Sequence, residues 1–131
     1  MEFTSDLADV GPEQLDGFFT GWPKRPSPQR HLEILRGSAH FVLARDATGQ
    51  VEGFVTAITD GGFAAYIPLL EVRPDARGQG VGSELVRRML RLLDGYYMVD
   101  VICDDDALPF YERAGFTRYH GAIRRTPAAI R

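Results

Sequence analysis

The stretch Leu70-Glu71-Val72-Arg73-Pro74-Asp75-Ala76-Arg77-Gly78-Gln79-Gly80-Val81-Gly82-Ser83 constrains this chain more than any other. An apolar run stops at a proline, a short basic and glycine-rich turn follows, and an amphipathic helix begins. The order of strand, bare-backbone turn and helix N-terminus creates an anion site. Gly78, Gly80 and Gly82 let peptide N–H groups approach a phosphate with no Cβ in the way. The helix dipole and the Arg77 guanidinium supply positive charge. The stretch therefore predicts a strand-turn-helix crossover that holds a pyrophosphate-bearing ligand.

The rest of the chain sets bounds on that prediction. At 131 residues, with 44% hydrophobic and 25% charged side chains, residues 1–131 are expected to form one soluble globular domain with a real core. A net charge of −3 argues against nucleic acid as a principal partner. The single cysteine, Cys103, excludes an intramolecular disulfide and offers no metal cluster, which fits a reducing cytoplasm. No signal sequence opens the chain, and no apolar run approaches the roughly 18 residues of a membrane helix. His31, His40 and His120 are scattered without metal-ligand spacing, so no metal is expected.

Residues 2–7 can form a first strand. Gly11-Pro12-Glu13 opens a helix that buries Leu15, Phe18 and Phe19. A second helix starts at Ser27 as N-cap with Pro28 at its first position, buries Leu32 and Leu35, and ends at Gly37. Strands follow at Phe41–Ala44, Val51–Thr59 and Phe63–Val72. The helix after the glycine turn runs from about Val81 to Leu93, with Val81, Leu85, Met89 and Leu92 in one stripe and Arg87, Arg88 and Arg91 on the wet side. Tyr96–Cys103 reads as a strand parallel to the one before the turn. Asp104 caps a last helix, and Phe116–Arg125 can hold one or two final strands. The class is α+β, a mixed sheet with helices on both faces.

Two common glycine turns fit poorly. A P-loop needs lysine before its Ser/Thr, but Gly82 is followed directly by Ser83. In a dinucleotide fingerprint starting at Gly78 or Gly80, the third glycine falls on Ser83 or Leu85. Arg77-Gly78-Gln79-Gly80-Val81-Gly82 instead matches Arg/Gln-x-x-Gly-x-Gly/Ala, the pyrophosphate motif of the GNAT superfamily of acyl-CoA N-acyltransferases. Phe110-Tyr111-Glu112-Arg113-Ala114-Gly115-Phe116 resembles that family's Phe-Tyr-x-x-x-Gly-Phe segment. The resemblance runs from near the N-terminus to about residue 125. It implies a central sheet of six to seven strands and acetyl-CoA as cosubstrate. The chain departs from the pattern at Asp104, where many relatives carry asparagine.

The resemblance also implies roles. The strand at Leu70 and Val72 splays from its neighbour after a bulge, and its free backbone groups bond the pantetheine arm. The pyrophosphate sits on N–H groups from Gly78, Gln79, Gly80, Val81, Gly82 and Ser83. Asp104 stands beside the cofactor, and Tyr111 protonates the departing thiolate, whose pKa is about 8.5 if CoA behaves like cysteine. An alkylamine acceptor is only about one part in 10³ neutral at pH 7, a penalty of roughly 4 kcal/mol. Glu71 on the central strand is a candidate base or amine-binding group, set against an ion pair with Arg73. Asp60 and Trp22 are candidates for the acceptor site, against turn chemistry with Gly61-Gly62 for the first and packing for the second. Gly21-Trp22-Pro23 and Ile58-Thr59-Asp60 resemble, more loosely, small bacterial and plant plastid relatives that acetylate arylalkylamines or lysines. Three functions stay open: acetylation of a small primary amine, acetylation of a protein lysine or N-terminus, and a non-catalytic acyl-CoA sensor. A homodimer fits the family, with residues 116–125 as an edge strand.

Overall fold

The computed structural model describes residues 1–131. Strands β1 (Glu2–Thr4), β2 (His40–Arg45), β3 (Val51–Thr59), β4 (Ala64–Val72) and β5 (Met98–Val101) form one sheet in the order β1-β2-β3-β4-β5. Pairing is antiparallel through β4; β5 then joins parallel to β4. Helix α1 (Pro28–Gly37) precedes β2, α2 (Val81–Leu92) makes the β4–β5 crossover, and α3 (Leu108–Arg113) follows β5. Ser27 caps α1 as its sequence demands, its Oγ accepting the Arg30 N–H at 3.1 Å. No helix is long and apolar enough to cross a membrane.

Two expectations are corrected. The sheet has five strands rather than six or seven, because residues 117–125 take part in no backbone–backbone hydrogen bond. The helix expected over residues 13–19 shrinks to a 3₁₀ turn, Pro12–Leu15. Gly17 at φ 90° and Phe19 at φ 62° break it, while Leu15, Phe18 and Phe19 are still buried as the periodicity required.

A bulge in β4 positions the site. Thr56 pairs with Leu69 but Ile58 pairs with Tyr66, so Ile67 and Pro68 together face the single residue Ala57. The extra residue reverses the side-chain alternation. Before the bulge, Ala65 and Ile67 point into the core beneath α2; after it, Leu70 and Val72 take over that face. Leu69 turns instead to the opposite core, formed by α1, β2 and β3. Proline fits here because a bulged residue needs no ladder N–H.

Both faces of the sheet are covered. Beneath α2 lie Val42, Ala44, Val55, Ala57, Ala65 and Ile67, met by Val81, Leu85, Met89 and Leu93. The α2 stripe is as expected except at Leu92, which is 43% exposed, while Val86 is buried. Gly53 permits the close fit: a Cβ there would lie 3.1 Å from Leu85 Cδ1 and 3.2 Å from the Glu71 carbonyl oxygen. On the other face Leu32 and Leu35 of α1 meet Leu43, Val51 and Phe54, joined by Leu15, Phe18 and Phe19 from the preceding loop.

Candidate active site

The glycine turn has the form its sequence implied. Gly78 and Gly80 both sit at φ 79°, a left-handed conformation that favours glycine, and Gly80 is the N-cap of α2. The first helical bond runs from Glu84 N–H to the Gly80 carbonyl. The peptide N–H groups of Gly78, Gln79, Gly80, Val81, Gly82 and Ser83 therefore have no acceptor in the chain. Arg77 is tied back through Nε, which donates to the Val72 carbonyl at 2.9 Å. Arg87 and Arg88 are both engaged by Glu84, whose carboxyl they hold down to about 2. Arg88 also stacks on the Phe3 ring at 4.6 Å.

The strand leading into this turn has a free edge. Pairing between β4 and β5 ends at Ile67 and Val101. The Arg73 N–H bonds the Glu52 carbonyl at 2.8 Å, which fixes the parity of the β3–β4 ladder. Leu69 and Glu71 direct their backbone groups to β3, and Leu70 and Val72 direct theirs to the side where β5 has diverged. A cavity of about 500 Å³ fills that divergence. Leu70, Glu71, Cys103, Asp104, Asp106 and Tyr111 line it, and Phe19, Trp22 and Phe54 form its aromatic wall.

Tyr111 on α3 is 7% exposed and packs edge-to-face on Phe110 and Phe116, with ring centroids at 5.0 and 5.6 Å. Burial first, then the neighbouring Cys103 and Tyr66, pushes its phenol up to about 12. It thus remains protonated throughout the neutral range. Burial, followed by Asp104, Asp105 and Asp106, pushes the Cys103 thiol up as well.

Glu71 is not paired with Arg73. Its Oε1 accepts the Phe19 N–H at 2.8 Å, and its Oε2 accepts the Thr20 N–H at 3.3 Å and the Thr20 hydroxyl at 3.1 Å. Arg73 bonds the Asp16 carbonyl and pairs with Asp75 at 3.5 Å. The loop so held is strained: Phe19 is a non-glycine residue in the left-handed region, at a cost of about 1–2 kcal/mol. Phe19 stacks edge-on against Trp22, with centroids 5.0 Å apart.

Trp22 and Asp104 thus reach the cavity, but Asp104 caps the next turn through its carbonyl and not its carboxylate. Asp60 does not reach the cavity: it closes the β3–β4 turn, where its Oδ1 accepts the Gly62 N–H at 2.8 Å. Sequence reasoning missed Ile123 and Arg125, which line the cavity from the C-terminal segment. No local pattern marks them, because their place depends on how that segment returns past Ile102, whose Cδ1 would lie 2.8 Å from a Cβ on Gly121. His31, which the sequence set aside for want of metal-ligand spacing, is fully buried among Phe18, Phe19 and Phe54 with both ring nitrogens unpartnered. Burial holds its imidazole down to about 4.

Known proteins share this fold. The family model described as "Acetyltransferase (GNAT) domain" matches residues 36–118, well over half of the chain. A crystal structure from Deinococcus radiodurans R1, of a candidate acetyltransferase, superposes with a TM-score of 0.94 at 51% identity, covering 97% of this chain and 89% of that one. Among curated proteins, an uncharacterised N-acetyltransferase, ycf52, of Pyropia yezoensis is 26% identical over 102 residues, 75% of this chain and 59% of that protein. The mycothiol acetyltransferase of Clavibacter sepedonicus is 41% identical over 83 residues, 60% of this chain and 27% of that protein. The chain therefore spans well under two thirds of the curated relatives it matches. The bulged central strand, the glycine turn and the tyrosine helix coincide with the matched region, and the chain belongs to the GNAT acetyltransferase family.

Proposed function

We propose that this chain transfers the acetyl group of acetyl-CoA to the primary amine of a small molecule, by direct attack with both substrates bound. One observation carries the reading above the rest: the free edge of β4 runs continuously from a cavity containing Tyr111 to six unpartnered N–H groups at the glycine turn. That track suits a long ligand with an amide-bearing arm and a pyrophosphate. Leu70 and Val72 would bond the arm, and Gly78 to Ser83 with Arg77 would hold the phosphates. Asp104 lines the same track. Acetyl-CoA supplies an activated acyl carbon and a thiolate leaving group.

Tyr111 serves the leaving sulfur. A phenol held near 12 keeps its proton on oxygen and acts first as a hydrogen-bond donor. Complete proton transfer becomes favourable only as the thiolate loses water on burial. Glu71, Asp104 and Asp106 outnumber Arg125 on the cavity wall, which favours a cationic amine as the acceptor. The size of the cavity and its aromatic side support a small molecule, as does the name of the Clavibacter relative.

The test is thiol release from acetyl-CoA across arylalkylamines, polyamines, amino acids, aminoglycosides and lysine peptides. Saturable turnover with one small amine class is expected. Turnover with peptides alone would make the chain a protein acetyltransferase, and binding without turnover would make it a sensor. Tyr111→Phe keeps the ring and should lower kcat by about 10²-fold with little change in the KM for acetyl-CoA.

The same reading includes a homodimer. Residues 117–125 have no ladder partners, and Tyr119 is 92% exposed. Such a segment suits pairing with a second copy. Light scattering should give twice the 14.6 kDa of one chain; a single-chain mass at all concentrations would exclude the dimer.

A further inference from the structure

We infer that Glu71 is a positioning residue: its carboxylate holds Phe19 in the left-handed conformation and so fixes the Phe19–Trp22 wall against which the acceptor binds. The inference rests on the acyl-transfer reading only for the word acceptor; the clamp itself is geometric.

Three observations converge on it. First, the bulge at Ile67–Pro68 turns Glu71 away from the α2 core and toward the loop before α1. Without that extra residue, Glu71 would share the face of Ile67. Second, both carboxylate oxygens are engaged by one short segment. Oε1 accepts from Phe19 and Oε2 accepts twice from Thr20, all from donors more than 50 residues distant in sequence. A proton acceptor needs free lone pairs, and these bonds occupy three of about four. Third, the residue that donates the shortest of these bonds is the strained one. Phe19 is the single non-glycine residue with positive φ, and its strain persists only where surrounding structure enforces it. Arg73, next along the same face of β4, grips the loop one turn earlier at the Asp16 carbonyl, and Arg25 bonds the Phe18 carbonyl at 2.7 Å. The central strand thus holds the loop with an acid and a base side by side, each bound to backbone rather than to the other.

The consequence is a division of labour along β4. Leu70 and Val72 serve the cosubstrate by their backbone edge, and Glu71 between them serves the acceptor wall by its side chain. A base role and a positioning role make different predictions for Glu71→Gln and Glu71→Ala. Glutamine keeps an oxygen for the Phe19 N–H and can give a hydrogen to the Thr20 hydroxyl, but it cannot take a proton. Alanine does neither.

Trp22 is the only tryptophan, which gives a readout independent of turnover. In the free protein, Glu71→Ala should red-shift Trp22 emission and open it to acrylamide quenching, with far-ultraviolet dichroism unchanged; Glu71→Gln should stay near wild type. In the assay, Glu71→Ala should raise the acceptor KM about tenfold, the equivalent of one charge-assisted hydrogen bond. The kcat, its pH profile and calorimetric acetyl-CoA affinity should hold. Thr20→Val, which removes one donor, should move Trp22 and the acceptor KM in the same direction by less, and it serves if Glu71→Ala does not fold. The inference is overturned if Trp22 is unmoved in Glu71→Ala or Thr20→Val. It is equally overturned if Glu71→Gln and Glu71→Ala lose kcat by the same large factor with the low-pH limb abolished. If wild type transfers no acetyl group to any amine, the acyl-transfer reading fails, and the Trp22 measurements still decide the clamp.

Discussion

The two faces of the sheet are built on different principles. Beneath α2 the core is aliphatic and regular: ten buried residues, none aromatic, drawn only from strands, the helix and its end. Beneath α1 it contains three phenylalanines, a buried histidine and a loop with left-handed backbone. The first face carries the helix whose N-terminus presents the anion site, and the second carries the aromatic wall of the cavity. On the proposed reading the cosubstrate meets the regular scaffold, and the acceptor meets the irregular loop.

That contrast can be tested from its strongest consequence downward. Leu85 is fully buried at the centre of the α2 face. Leu85→Ala should cost about 2–5 kcal/mol in urea unfolding, while a comparable loss at the loop should fall on acceptor affinity. Next is acid sensitivity between pH 6.5 and 4, which should centre on the α1 face. His31 is neutral when folded and titrates near 4, against about 6.5 when unfolded. The unfolded chain therefore binds the extra proton first, and stability present above pH 6.5 is lost as pH falls toward 4. The loss is on the order of 3 kcal/mol. Urea midpoints across that window should flatten in His31→Leu; an unchanged slope would place the sensitivity elsewhere. The smallest effect belongs to the cofactor end. Gly80→Ala introduces a Cβ at φ 79° where no neighbour obstructs it, so only backbone strain of about 1–2 kcal/mol opposes it. Acetyl-CoA affinity by calorimetry should fall about tenfold, with acceptor KM unaffected.

The regular face was also the legible one. Helix α2, its N-cap glycine, the parallel crossover and the start of α1 at Ser27-Pro28 follow from spacing and capping chemistry over a few residues. The irregular face was read by burial but not by form. Leu15, Phe18 and Phe19 announced themselves as core, yet the helix they suggested is unwound by Glu71 and Arg73, more than 50 residues away. Asp60 looked equally placed to reach an acceptor, but its carboxylate is satisfied two residues on, at Gly62. The missing strands after Phe116 have the same origin: strand propensity is local, while a ladder needs a partner strand brought alongside, and residues 117–125 form no backbone–backbone bond. Arg125 could not be found from sequence for the same reason.

Pro68 has one more implication. It stands just past the last β4–β5 pair, inside the bulge that turns Leu70 and Val72 toward the open side. The open edge is therefore set by the register of β4 itself. On the proposed reading, cosubstrate entry then needs no prior parting of strands, and its observed association rate should climb linearly with concentration rather than level off at an opening step.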